Sequence, residues 1–168
     1  MEEKLTQFST NMDALTEQEQ KQLIALINKG NKPLKRRWRA KIDEMYFLNS
    51  GDGEIVFYIE KGTTFNKKAY ELGNYFATKE EAEFELNKRL VLQQLKDYAL
   101  SHNETELDWN NRQQAKYFIV QTADGLTWQR VYSKEYSGQV YFSSIKIAYS
   151  AIKAIGADKI IKYLFKGE

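Results

Sequence analysis

His102 is the single histidine in the chain, and there is no cysteine. Those two facts bound the chemistry. A thiolate nucleophile, a disulfide and a Cys-based zinc site are excluded by composition. One imidazole with no second nitrogen or sulfur ligand completes no such metal site, and no partner nucleophile stands near it in the sequence. His102 instead falls near the end of the longest helical pattern, where a solvated imidazole is favourable. Carboxylates are numerous, but Glu80, Glu81, Glu83 and Glu85 cluster at a helix start, where they complement the helix dipole rather than form an acid–base pair or a cation site. Asp52 and Asp124 each precede a glycine, which is turn chemistry. Gly51-Asp52-Gly53 lacks the lysine and following helix of a phosphate loop. The expectation is therefore no catalytic residue, no metal and no cofactor: a protein that binds, not an enzyme.

The feature with most binding character is a basic segment. Lys29, Lys32, Lys35, Arg36, Arg37, Arg39 and Lys41 fall in thirteen residues without an acid, so this segment carries +7 and the remainder −5 of a net +2. Lys35-Arg36-Arg37-Trp38-Arg39 sets an aromatic among guanidinium groups. That combination suits a nucleic-acid backbone and its bases, and equally an acidic groove on a protein. The candidate binding residues are Lys32, Lys35, Arg36, Arg37, Arg39 and Lys41, with Trp128 as a further aromatic for either an exposed sheet face or the core. Trp38 and Trp109 are read as structural.

The elements that must carry these residues are legible. The 168 residues suffice for one ordinary domain or two very small ones, and 14% are aromatic. A Thr16-x-x-Glu19 capping box and an apolar stripe at Leu23, Ile24, Leu26 and Ile27 predict a first helix, closed by Gly30 and Pro33. Strands are expected at Met45–Leu48 and Glu54–Glu60, with a looser stretch over 61–74 and a short strand at Tyr75-Phe76. A second capping box at Thr78 and Glu81 opens the longest helix, with Ala82, Leu86, Leu90, Val91, Leu95, Tyr98 and Ala99 inward. Strands follow at Ala115–Gln121, Leu126–Tyr132 and Gln139–Phe142. A helix then runs from Ser143 or Ser144 to Gly156, and Asp158 caps a last short one through Phe165. The N-terminus has no secretory pattern and no stretch is long and apolar enough for a membrane span, so a soluble, cytoplasmic protein is expected.

Two stretches share a skeleton. Trp38 precedes Tyr46-Phe47 by the same eight residues that separate Trp109 from Tyr117-Phe118. Each leads through an Asp-Gly turn to a second aromatic pair, Tyr75-Phe76 or Tyr141-Phe142, then to a helix with Ala82 or Ala148 at the matching place. The expected fold is α+β: an N-terminal helical segment and linker (1–34), a first β-β-β-α repeat (35–103), and a second repeat with a short C-terminal helix (104–168).

The run Trp38, Tyr46-Phe47 and Gly73-Asn74-Tyr75-Phe76-Ala77-Thr78-Lys79-Glu80-Glu81-Ala82-Glu83 resembles a family of small accessory proteins of bacteriophages and prophages of Gram-positive bacteria. Asp108–Asn111, Phe142–Ser144 and Ile155–Asp158 extend the resemblance, while Met45 departs from the family's more aromatic first strand. The resemblance implies a phage setting and no chemistry. A fainter similarity, three strands before a Thr-Lys-Glu-Glu-Ala helix start, is to the arm-type DNA-binding domain of phage integrases. The functional expectation is an accessory protein that inhibits a host component by direct binding, such as an anti-phage defence complex of the CRISPR type. Its partner is then a host protein or nucleoprotein. The alternatives are a DNA- or RNA-binding protein that uses the basic segment and a sheet face, and a structural or assembly protein that forms a homodimer through its helices.

Overall fold

The computed structural model describes residues 15–30 and 37–165. Among these residues the chain is α+β, with five helices and two small antiparallel sheets. It divides into two compact units, Met1–Trp38 and Arg39–Glu168.

In the first unit, helix α1 spans Glu17–Gly30. Its capping box forms as the sequence predicts: Thr16 N–H donates to Glu19 Oε2 at 2.9 Å and Glu19 N–H to Thr16 Oγ1 at 3.4 Å. Pro33, Lys32, Lys35 and Arg36 lie outside the described residues.

The second unit opens with a hairpin of β1 (Met45–Asn49) and β2 (Ile55–Ile59). Phe47 lies opposite Phe57, and Met45 opposite Ile59. Phe76 adds one antiparallel bridge to Phe47 on the other side of β1. The stretch expected to be loose instead holds helix α2 (Thr64–Glu71). Thr63 and Asn66 make a reciprocal capping box at its start. At its end Asn74 N–H reaches Ala69 O (3.0 Å) and Gly73 N–H reaches Tyr70 O (3.1 Å). That closure needs a residue at positive φ, and Gly73 sits at 76°.

Helix α3 (Lys79–His102) follows. Thr78 caps it by accepting from Glu81 N–H, but Glu81 Oε2 accepts from Ala77 N–H at 2.9 Å, one residue before the expected Thr78 N–H. Its buried positions are Ala82, Val91, Leu95 and Ala99. Leu90, expected inward, is half exposed. The helix serves both sheets. It packs on β1 and β2, while Val91, Leu95 and Ala99 join a core with Ile119, Phe142, Ile147, Ala148 and Ala151. The two sheets are thus parts of one compact unit.

The second sheet has strand order β4-β3-β5, with β3 (Lys116–Thr122), β4 (Gly125–Val131) and β5 (Tyr141–Phe142). Helix α4 (Ile145–Ile155) is capped by Ser144. The short α5 (Ala157–Ile160) has no side-chain cap: Asp158 lies in its first turn and does not cap it. A π-helical turn, Ile161–Phe165, follows.

Strand registers correct the alignment that the Tyr-Phe pairs suggest. Phe76 bridges Phe47, whereas Phe142 pairs with Tyr117. When Phe76 is set against Phe142, Phe47 matches Tyr117, not Phe118. A one-residue shift exchanges the two faces of a strand, so aromatic residues that look equivalent in sequence lie on opposite faces. The described architecture is coarser than two equal β-β-β-α repeats: one sheet has two strands, the other three, and α2 has no counterpart after β4.

Candidate functional site

Behind the first hairpin lies a buried polar network. Glu60, the residue after β2, has a side chain only 1% exposed. It accepts from Gly62 N–H (2.7 Å), Tyr75 Oη (2.8 Å) and Arg39 Nε (3.2 Å). Burial pushes its carboxyl up, but these three donors and the Arg39 charge outweigh burial and hold it below its ordinary value. Burial, reinforced by donation to Glu60 and by that negative charge, pushes the Tyr75 phenol up, so it stays protonated. Tyr75 stacks on Tyr46 with ring centroids 3.8 Å apart, and Tyr70 meets Tyr75 edge-on at 5.4 Å. Asn66, also buried, donates to Tyr46 Oη at 2.8 Å and accepts from Lys61 N–H and Thr63 N–H, each at 3.1 Å. This network locks α2 against the sheet.

Between that hairpin and α2 opens a groove of about 480 Å³. Leu48, Val56, Tyr58, Phe65, Ala69 and Leu72 supply apolar walls, and Lys68 brings a cation. Tyr58 and Phe65 are in ring contact at 4.9 Å. Both are substantially exposed, and Leu72 is 79% exposed. Asn49 also lines the groove, and its buried Oδ1 and Nδ2 have no hydrogen-bond partner among the described residues. Native proteins seldom leave such a group unsatisfied.

The second sheet buries the opposite charge. Lys116 has no exposed surface. Its ammonium donates to the carbonyls of Asp108, Asn111 (3.1 Å) and Tyr132 (2.9 Å) and lies 5.2 Å from the Trp109 ring centre. Three carbonyls match the three donors of an ammonium. The Asp108–Asn111 element is held further by Asp108 accepting from Asn110 N–H at 2.9 Å and Asn111 Oδ1 accepting from Gln113 N–H at 2.9 Å. It is a structural loop clip.

Of the sequence-selected binding residues, Lys32, Lys35 and Arg36 lie outside the described residues, and the others are placed as follows. Arg39 reaches Glu60 and also lies over the Tyr70 ring at 5.1 Å. Lys41 is exposed and pairs with Glu44 at 3.8 Å. Arg37 is exposed. Trp128 is half-buried on β4 and meets Tyr117 edge-on at 5.5 Å. Trp109 is half-buried against Tyr141 at 4.8 Å, while Trp38 is 44% exposed. His102 stacks on Tyr98 at 3.9 Å, and its Nδ1 lies 2.9 Å from the Tyr98 carbonyl. Among the described residues no group of three His, Cys, Asp or Glu side chains is arranged to hold a metal ion. Nor is any helix among them long and apolar enough to cross a membrane. The groove is not legible in the sequence because half its wall comes from α2, over a stretch whose pattern predicts no regular element. No protein-family model, curated protein or solved structure matches the chain.

Proposed function

We propose that this chain is an accessory binding protein, of the Gram-positive phage or prophage class its sequence resembles, that inhibits a host protein by direct contact in the host cytoplasm. The observation that carries this reading is the open groove beside α2, lined by Leu48, Val56, Tyr58, Phe65 and Leu72. Exposed apolar and aromatic walls around a concave site are the anatomy of protein recognition. Lys68 in the lining, with Lys67 next to it in sequence, favours an apolar segment flanked by an acid. Two cations of the basic segment, Arg39 and Lys41, already face carboxylates, which weakens a reading that relies on that segment for nucleic acid.

We further read the two sheets as a diverged duplication. Its support is the pairing of Phe76 with Phe47 and of Phe142 with Tyr117. In each case a hydroxyl cap follows two residues later, at Thr78 or Ser144. A fully buried alanine, Ala82 or Ala148, comes four residues after that.

The test is affinity capture of the tagged chain from a Gram-positive host lysate, with and without nuclease. The expected result is a specific protein that survives nuclease treatment and is lost with Leu72→Asp, an exposed position where the charge leaves the fold intact. Recovery of nucleic acid, with every protein lost on nuclease treatment, overturns the proposal in favour of the basic segment.

A further inference from the structure

Among the described residues, strand β2 has a strand neighbour on one side only. Its sequence, Ile55-Val56-Phe57-Tyr58-Ile59, contains no charge and no proline, so it lacks the devices by which edge strands usually avoid pairing. Which of its backbone groups point outward follows from the other side of the hairpin. Phe47 directs both backbone groups away from β2, donating to Phe76 O and accepting from Phe76 N–H, each at 2.9 Å. Phe47 and Phe57 lie opposite one another and so form a non-hydrogen-bonded pair, in which both residues turn their N–H and C=O outward. By the same alternation Ile55 and Ile59 also present theirs at the edge. The Ile59 carbonyl is taken by Asn66 Nδ2 at 3.4 Å. Among the described residues, the complete free pairs are those of Ile55 and Phe57.

We propose that this edge pairs with the β2 of a second copy of the chain, antiparallel about a two-fold axis at Val56. The outward backbone edge is separate from the groove, although the Val56 and Tyr58 side chains on one face of the strand line it; the inference does not rest on the proposed function. In that register Ile55 of each copy faces Phe57 of the other. Each such pair exchanges two N–H···O bonds, so four bonds use the free groups and leave Ile59 with its Asn66 contact. The interface is isologous, as a two-fold requires. The side chains agree with the backbone. Phe57 (64% exposed) and Ile59 are large apolar groups open to solvent on one face of β2, with exposed Met45 opposite Ile59 on β1 and exposed Ile42 three residues before Met45; Tyr58 is on the other face of the strand. At about 200 Å² for each large side chain, the exposed fractions of Phe57, Ile59, Met45 and Ile42 amount to roughly 400 Å² per copy, or about 850 Å² for the pair, the size of a weak, transient contact. The predicted dimer is therefore weak and reversible, with a micromolar dissociation constant.

The absence of cysteine makes the register directly testable. In the full-length chain, Val56→Cys places two thiols on opposing residues of a non-hydrogen-bonded antiparallel pair, about 4.5 Å apart at Cα, within disulfide reach. Mild oxidation should cross-link Val56→Cys rapidly and Leu100→Cys, at an 86% exposed control position, slowly. Sedimentation of the unmodified chain from low to several hundred micromolar should show monomer passing to dimer. Phe57→Lys should raise the dissociation constant roughly tenfold or more with an unchanged circular dichroism spectrum, because like charges then meet at the edge. A chain monomeric at every concentration overturns the proposal and leaves the edge to an extended segment of another protein. So does a dimer indifferent to Phe57→Lys, or a Val56→Cys chain that cross-links no faster than the control.

Discussion

Glu60 and Lys116 are the two charged side chains that the described residues bury, and they are satisfied in opposite ways. Glu60 accepts from an arginine, a phenol and a backbone amide. Lys116 donates to three carbonyls. Truncating either leaves buried polar partners unpaired, which costs more than the hydrogen bonds themselves contribute. Glu60→Gln should destabilise the fold by about 2 kcal/mol at neutral pH, less than a fully buried pair would, because Arg39 is partly solvated. A carboxyl held below its ordinary value stabilises the fold above that value and loses its contribution as pH falls through the depressed one. The gap between wild type and Glu60→Gln should therefore be complete at neutral pH and shrink below about the ordinary value of 4.5. Urea midpoints of both proteins from neutral to acid pH measure it, and a gap that widens on acidification contradicts the assignment. Lys116→Met should cost about 2–3 kcal/mol and alter Trp109 fluorescence, since the ammonium lies over that ring.

At the scale of elements, short polar devices decide where helices start. Thr78 and Ser144 each accept from the N–H three residues on. Asn66 does more: it is the return half of the α2 capping box, holds Lys61 N–H and meets Tyr46 Oη. Thr78→Ala should cost about 1 kcal/mol, the ordinary worth of a cap. Asn66→Ala should cost about twice that or more, because several buried partners lose their bond at once. Equal denaturation midpoints for the two variants would contradict the central place given to Asn66. Loss of α2 also removes one wall of the groove, so Asn66→Ala should weaken partner capture and Thr78→Ala should leave it largely intact.

At the scale of the whole molecule, Arg39–Glu168 has its own cores, one on α2 and the first hairpin and one shared by α3 and the second sheet. A fragment beginning at Arg37 should unfold in one cooperative step, because α3 packs on β1 and β2 and also lines the second core. Two separate transitions by calorimetry would mean that the sheets melt independently. A weak two-fold at β2 would double the grooves on one assembly and raise avidity for a repetitive target without any new contact.

Much of this protein was determined by the sequence alone, where local chemistry suffices. Hydroxyl caps placed α1, α3 and α4. Alternating aromatics and Asp-Gly turns placed both hairpins within a residue or two. Composition excluded thiol chemistry outright. Tertiary structure decided the rest. Helix α2 escaped notice because its capping box closes with Asn66 instead of glutamate, and its stability comes from burial against Tyr46 and Tyr75. The Tyr-Phe pairs suggested an alignment that the register overturned, since a strand's face is set by what it pairs with and a shift of one residue inverts it. Arg39 looked like a free cation of the basic segment, and only folding sets it beside Glu60, 21 residues away. The groove belongs to no contiguous stretch, because residues distant in sequence must first be packed before a surface exists, and only the strand order leaves β2 at an edge.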